Sequence, residues 1–345
     1  MPLTEGEVSL KLKLIKIHEY NDIIFGSTGI ILNLLLIILI FKKSRKYFEM
    51  YRYILLYSRI IHLLLSVALI ICGQFIEVIS QNMYLIVSGP FRYTLSKTVT
   101  IVIHLIFSTS IYLSITSVSI SFIYRHTIIV DNKIWNAKKL YIVILINIII
   151  IMPINIFGFM AFYVEGSNYE STMIKLDENV WFNKELNKYM AYVVADRESI
   201  YYKLMIGYIF IIICAVYIII LFSSYAVKRK LKQVNRMSSM NKVQKLHKNN
   251  NQINNVLFIQ ALIPLIFILL PYTFWFTCIV LKSYFLIIYS PLLWVHIAWV
   301  PTVEAIGTIL LVKEFRRGLI KFWRKSIYSD STKAPKQKEI NKNKN

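Results

Sequence analysis

Cysteine is scarce in this 345-residue chain: there are three, Cys72, Cys214 and Cys278, each inside an apolar run. That number and spacing supply neither a disulfide framework nor a clustered zinc site, so the three read as small packing residues. Glycine is thin as well, ten in all, which leaves little material for loops that cradle phosphates. No Walker loop, Gly-x-Gly-x-x-Gly, Gly-x-Ser-x-Gly or His-Glu-x-x-His occurs. Neither an enzyme nor a bound cofactor or metal is expected. Acidic residues are few, 18 against 40 Lys plus Arg, for a net charge of +22. Nucleic-acid binding is the first reading of such an excess, but the basic residues sit in the gaps between apolar runs. Asn-x-Ser/Thr sequons, a C-terminal prenylation box and a Cys near Lys313 for a palmitoyl anchor are all missing.

What the chain has in quantity is hydrocarbon: 57% of it is apolar and 17% charged, against roughly 45–50% and 25% in a soluble domain. A helix crosses the bilayer core in about 20 apolar residues, because only a helix satisfies its own backbone where water is absent. Seven such runs occur, at Ile23–Phe41, Ile54–Phe75, Thr98–Tyr124, Leu140–Tyr163, Leu204–Val227, Val256–Leu281 and Ile287–Val312. With the N-terminus outside, the inner segments hold 28 basic and 5 acidic residues, and the outer segments 10 and 12. Cytoplasmic loops retain Lys and Arg, so the charge excess reports topology and requires no nucleic acid. The expected fold is an all-α membrane protein, a seven-transmembrane bundle.

Residues 1–22 carry seven charged side chains and no apolar core, so a cleavable signal peptide is not expected and the first span serves as its own insertion signal. The receptor-like core is 23–312. The outer loop 164–200 mixes Tyr163, Tyr169, Trp181, Phe182 and Tyr189 with seven acids and is expected to fold over the bundle mouth. The inner loop 228–253 reads as solvated helix extension or disorder, and 331–345 as a disordered basic tail. Between 313 and 330, Phe315, Leu319, Trp323 and Ile327 recur every four residues with Arg and Lys on other faces, which predicts a short amphipathic helix on the inner leaflet.

Local motifs sharpen this plan. Phe122-Ile123-Tyr124-Arg125-His126 at the inner end of the third span resembles the Phe-Ile-Tyr-Arg-Tyr ending of that span in the nematode serpentine chemoreceptor families Str, Srd and Srh. Gln260-Ala261-Leu262-Ile263-Pro264, with Pro271 seven residues on, resembles their Gln-x-x-x-Pro and second proline. Pro301-Thr302-Val303-Glu304 followed by Phe315-Arg316 is similar to their Pro-x-x-Asp and Tyr-Arg endings, and Gly29-x-x-x-Asn33 fits the same plan. The likeness runs from Asn21 to Trp323. It implies a G-protein-coupled receptor at the plasma membrane, in a sensory-neuron cilium, with Tyr124, Arg125 and His126 at the face that meets a heterotrimeric G protein. Two departures from the rhodopsin-like class stand out. Tyr124, not an acid, precedes Arg125, so an adjacent Arg–acid lock is absent; and neither 88–98 nor 164–200 contains Cys, so the outer loop is held by packing or not at all.

Individual residues carry competing readings. Arg125 either snorkels to lipid phosphates or faces the crevice that admits a Gα helix. Arg59 and Glu304 lie about 10 and 13 Å deep by helical rise, where a lone charge costs about 2.5–3.5 kcal/mol or more. They either pair, with Asn33 beside them, or Arg59 snorkels and Glu304 is protonated. Gln260, Pro264 and Pro271 mark the sixth span, where the prolines each free a carbonyl four residues back, making either a plain kink or a hinge. Candidate ligand contacts near the outer mouth are Gln74, Glu77, His104, Tyr208, Tyr272, Trp275, Trp294, His296 and Trp299, set against the interfacial belt that Trp and Tyr form without any ligand. The function expected is reception of an environmental small molecule or peptide, with membrane lipids and a G protein as partners. The alternative is a seven-helix channel or transporter, against which stand the absence of an internal repeat and the outside N-terminus.

Overall fold

The structure, a computed structural model, describes residues 3–43, 49–79, 82–166, 176–237, 261–281, 283–313 and 315–320. Gln260, Tyr169, most of the inner loop, Trp323, Ile327 and the 331–345 tail lie outside the described residues. Seven helical segments are long and apolar enough to cross a membrane. The helices are α1 (Glu5–Lys43), α2 (Glu49–Cys72), α3 (Lys97–Ile129), α4 (Ala137–Phe159) and α5 (Ile200–Met237), with α6 (Leu270–Val280) in the sixth span and α7 (Trp299–Leu311) in the seventh. α3 is the central helix and packs against α2, α4 and α5.

The first helix is longer than expected. At about 1.5 Å per residue its 39 residues span nearly twice the roughly 30 Å hydrocarbon core, so residues 5–22 form an outer extension of the first span and not a separate loop. A capping box starts it: the Thr4 amide donates to Glu7 Oε2 at 2.8 Å, and the Glu7 amide donates to Thr4 Oγ1 at 3.4 Å. At the other end of the bundle, α5 runs on to Met237, so the start of the inner loop is helical. Residues 315–320 are helical with Phe315 buried and Arg316 and Arg317 exposed, which is the amphipathic pattern over the described part of 313–330.

The outer face holds strands that the helical reading passed over. α2 stops at Cys72, not at Phe75, because Gly73 takes φ +48°, a left-handed conformation that suits glycine and ends a helix. β1 (Gln74–Ile79) and β2 (Asn82–Val87) then form an antiparallel hairpin. The outer loop adds a four-residue helix, Glu178–Trp181, a small pair β3 (Phe182–Asn183) and β4 (Lys188–Tyr189), and β5 (Tyr192–Asp196). β5 pairs antiparallel with β2, Tyr84 opposite Val194, giving a sheet of order β1-β2-β5. Five of six residues of β1 and of β2 are buried, so the sheet has protein on both faces. The outer loop does fold over the bundle mouth, and its lid is held by strand pairing and by Trp181, which is 1% exposed and packs 5.7 Å from Phe75.

Gly166, where the fourth span leaves the bundle, passes so close to β5 that a Cβ there would lie 2.1 Å from the Val194 carbonyl oxygen. Backbone cannot yield as a side chain does. Gly166→Ala is therefore expected to lower the stability of the purified protein by about 1–3 kcal/mol, the usual cost of overpacking, read as a lower thermal midpoint in lipid nanodiscs; an unchanged midpoint would contradict that contact.

Two spans depart from regular helix. α4 widens into a π-helical turn at Met160–Glu165, and the described part of the sixth span has a π turn at Leu265–Leu269 between Pro264 and Pro271. Pro271 has no N–H for the Phe267 carbonyl, and the widened turn shifts the bonding register around that gap, with the Leu270 amide donating to Leu265. The seventh span opens with Phe285–Tyr289 and a 3-10 stretch, Ser290–Ala298, before α7. Three residues per turn stacks Pro291, Trp294 and Ile297 on one buried side.

Candidate functional site

A cavity of about 50 Å³ lies below the outer sheet. Ile76, Met83 and Leu85 of the sheet roof it, α3 supplies His104 and Tyr112, α5 supplies Met205 and Ile209, and the sixth and seventh spans supply Tyr272, Trp275 and Trp294. Of the nine ligand candidates, Gln74, His104, Tyr272, Trp275 and Trp294 line it. The local fold explains why they converge. Gln74 is the first strand residue after the Gly73 break, the π turn precedes Tyr272 and Trp275, and the 3-10 stretch turns Trp294 inward.

The cavity wall is apolar with a few polar groups. His104 Nδ1 and Gln74 Oε1 are 2.9 Å apart, and His104 sits edge-on to Phe162. The hydroxyls of Tyr112 and Tyr272 are hydrogen-bonding partners. Tyr272, Trp275 and Trp294 form an edge-to-face triplet with centroids 5.1 to 6.3 Å apart. Three N–H donors, Gln74 Nε2, Trp275 Nε1 and Trp294 Nε1, are buried with no acceptor. Tyr112 was not among the candidates, since a tyrosine mid-span reads as packing; only its helical offset of eight from His104 would have suggested it.

The remaining four candidates lie outside this cavity. Glu77 is fully buried against Lys11, with Nζ to Oε1 at 2.5 Å; Lys11 also donates to the Ile287 carbonyl at 2.6 Å and lies 4.9 Å over the Trp181 ring. The Ser290 hydroxyl donates to the other Glu77 oxygen. Burial pushes the Glu77 carboxyl above the usual range, and the Lys11 ammonium opposes that rise. Tyr208 donates its hydroxyl to the Ile150 carbonyl at 2.9 Å across α4 and α5. Trp299 donates Nε1 to Asn21 Oδ1 at 2.8 Å and packs on Phe25 and Phe267. His296 lies behind Trp294, beside Pro271 and Ile297. These positions give Glu77, Tyr208 and Trp299 structural contacts.

Deeper in the bundle, Arg59 Nη2 meets Glu304 Oε1 at 2.6 Å, with Arg59 0% and Glu304 1% exposed. Arg59 also donates to Asn33 Oδ1 at 3.3 Å, and Asn33 Nδ2 donates to the carbonyls of Gly29 at 2.8 Å and Pro301 at 3.2 Å. His62, one turn from Arg59, completes the cluster: its Nε2 is 2.8 Å from both Ser114 Oγ and Glu304 Oε2. The network joins α1, α2, α3 and α7. The sequence reading omitted His62, whose three-residue offset from Arg59 puts both on one helix face.

At the inner end, Tyr124 is buried in a cluster with Ile54, Trp135 and Leu140, stacked 6.3 Å from Tyr51 and edge-on to Trp135. Arg125 is 8% exposed on the next position of α3. His126 stacks 6.0 Å from Phe222 of α5 and lies 3.7 Å from Asp131. The three adjacent residues thus reach toward α2 and the inner loop on one side and α5 on the other.

Comparison with known proteins follows the same outline. A family profile described as serpentine type 7TM GPCR chemoreceptor Str matches residues 19–320. No curated protein matches the sequence. Among solved structures, the crystal structure of squid rhodopsin is similar with a TM-score of 0.58 at 12% identity, covering 95% of this chain and 93% of that one. At that identity the likeness is one of fold.

Proposed function

Because the chain belongs to the Str family of serpentine seven-transmembrane G-protein-coupled chemoreceptors, we propose that it binds an environmental small molecule in the cavity beneath the outer sheet and activates a heterotrimeric G protein at its cytoplasmic face. The observation that carries this reading is the cavity itself, lined from the sheet and five spans in a chain of a chemoreceptor family. Its roof of paired strands and its volume of about 50 Å³ favour a small molecule over a peptide.

The coupling follows from differential contact. A ligand shifts a two-state bundle only as far as it binds one state better. An occupant of this cavity presses on Tyr272 and Trp275, just outward of Pro271 and the π turn. Movement of the sixth span about that weak turn would carry its inner part away from α3 and α5, where Arg125 and His126 sit. Arg125 would then donate to the carbonyls ending a Gα helix. Lys313, Arg316 and Arg317 are exposed beside buried Phe315, an arrangement suited to anionic headgroups at the inner leaflet. The receptor acts at the plasma membrane, in the cilium of a sensory neuron, which imaging of a tagged chain would test.

The test of function is a ligand screen in cells carrying a promiscuous Gα. Arg125→Ala is expected to cut ligand-evoked signal at least about tenfold with surface level and ligand binding unchanged, because one charge-assisted contact is worth about 1.5–3 kcal/mol. A ligand-evoked current that persists without G protein would instead favour a channel, and normal signalling in Arg125→Ala would remove the coupling role.

A further inference from the structure

The cavity's twenty lining residues include no Asp, Glu, Lys or Arg. A charged ligand would enter with no ion of opposite sign on the wall to offset its lost hydration. The buried pair Lys11 with Glu77 is internally neutralised and lies outside the lining. The lining thus suits an uncharged ligand.

Its polar feature follows from the donors. An indole N–H can only donate, and Trp275 Nε1 and Trp294 Nε1 are both buried without an acceptor, on side chains 3% and 5% exposed. Gln74, 4% exposed, has its oxygen engaged by His104 and its Nε2 free. Among the described residues, these are the unpartnered buried side-chain atoms on residues that line the cavity, and all three are donors. They come from three different elements: β1, α6 and the 3-10 stretch of the seventh span. Buried donors without acceptors are costly, and groups on separate elements that lack the same kind of partner around one cavity are matched by a single occupant that supplies it. The rest of the wall, including Ile76, Leu85, Ile111 and Ile209, is hydrocarbon.

We infer that the cavity takes an uncharged, largely apolar molecule bearing an accepting oxygen, of the carbonyl, ester or ether kind, held by the N–H groups of Trp275, Trp294 and Gln74. This rests on the proposal that the cavity is the ligand site. A volume of about 50 Å³ holds only a few water-sized groups, so the molecule is small, or Tyr272 and Trp275 move as it enters.

Ligand-observed saturation-transfer NMR on the receptor in lipid nanodiscs tests the class, with 2-hexanone, butyl acetate, heptane, hexylammonium and hexanoate as probes of near-equal length. The ketone and ester are expected to bind at least about tenfold tighter than the hydrocarbon and the two ions. Trp275→Phe and Trp294→Phe should each weaken 2-hexanone by about three- to tenfold, one net hydrogen bond, and leave heptane unchanged. Benzothienylalanine in place of either Trp removes the N–H with the ring shape kept, should that variant fold poorly. Ions or heptane binding as well as the ketone, or ketone affinity indifferent to the N–H groups, would overturn the ligand class. Ser108→Phe and Gly158→Leu, which fill the cavity, separate the two claims. Binding that survives both, or silence from every probe, would overturn the cavity as the site, whereas unselective binding that they abolish sinks only the class.

Discussion

Glu304→Gln is expected to reduce the receptor at the cell surface about tenfold or more. The substitution leaves the Arg59 guanidinium at 0% exposure without its counter-charge, and breaking one side of a buried pair costs about 3–5 kcal/mol. That is a large part of a total stability of about 5–15 kcal/mol. Arg59→Met should do comparable harm by stranding Glu304 against His62 alone. Removing both charges together, Arg59→Met with Glu304→Leu, should recover most of the surface signal, because an apolar pair of similar volume needs no counter-ion. The exchange Arg59→Glu with Glu304→Arg should recover part of it, limited by Asn33 and His62, which are oriented for the native polarity. Quantitative surface labelling decides: single variants at wild-type level, or a charge-free pair no better than either single, would end the account of α2 and α7 as held by this pair. The rescued pair is also the form in which to look for ligand-free signalling, since the network bridges four helices in a chain with no acid next to Arg125.

Lys11→Met is the second large effect, at the opposite end of the molecule. It strands Glu77, 0% exposed, with only the Ser290 hydroxyl for company, again at about 3–5 kcal/mol. The loss should fall on the lid, so hydrogen exchange is expected to speed up across 74–87 and 192–196 while the centre of α3 stays protected. The pH dependence has a definite sign. Burial already raises the Glu77 carboxyl above its ordinary 4.5, and Lys11 is the main group pulling it back. Without Lys11 the folded lid binds a proton that the unfolded chain does not hold above pH 4.5. Stability then falls as pH rises through that window and is regained as pH drops back toward the ordinary value. Lys11→Met should accordingly exchange more slowly at pH 5 than at pH 7.5, beyond the intrinsic chemical rate; the reverse trend would place the Glu77 proton elsewhere.

The spans and the Arg59–Glu304 pair were legible because the bilayer is a harsh solvent. Hydrocarbon thickness sets the length of an apolar run, and two charges at similar depth have few ways to avoid each other. The order of motifs from Phe122 to Phe315 pointed to three related families, of which Str is the one that matches. The outer sheet was hidden for an equally physical reason. Gln74–Ile79 straddles the end expected for the second span at Phe75, and a short apolar run has no period that separates strand from helix. Only Gly73 marked the break, and the strand that closes the sheet, Tyr192–Asp196, is more than a hundred residues away in sequence. Lys11 looked like loop charge because its partner Glu77 lies beyond the second span, on a strand that no sequence period marks. Conversely, Glu77, Tyr208 and Trp299 have the depth and chemistry of ligand contacts, and in the structure they bond to Lys11, Ile150 and Asn21. Depth along a span can be counted from a sequence; the direction of a side chain around its axis, through π and 3-10 turns, cannot.

The lid has a practical consequence for making the protein. Its strands are joined by peptide hydrogen bonds, and all three thiols of the chain are free and sit within helices. Maturation therefore calls for no oxidising compartment and no isomerase. Synthesis in a cell-free lysate kept under dithiothreitol, straight into preformed nanodiscs, is compatible with an intact extracellular cover, and the same reductant can stay in every buffer through to the assay.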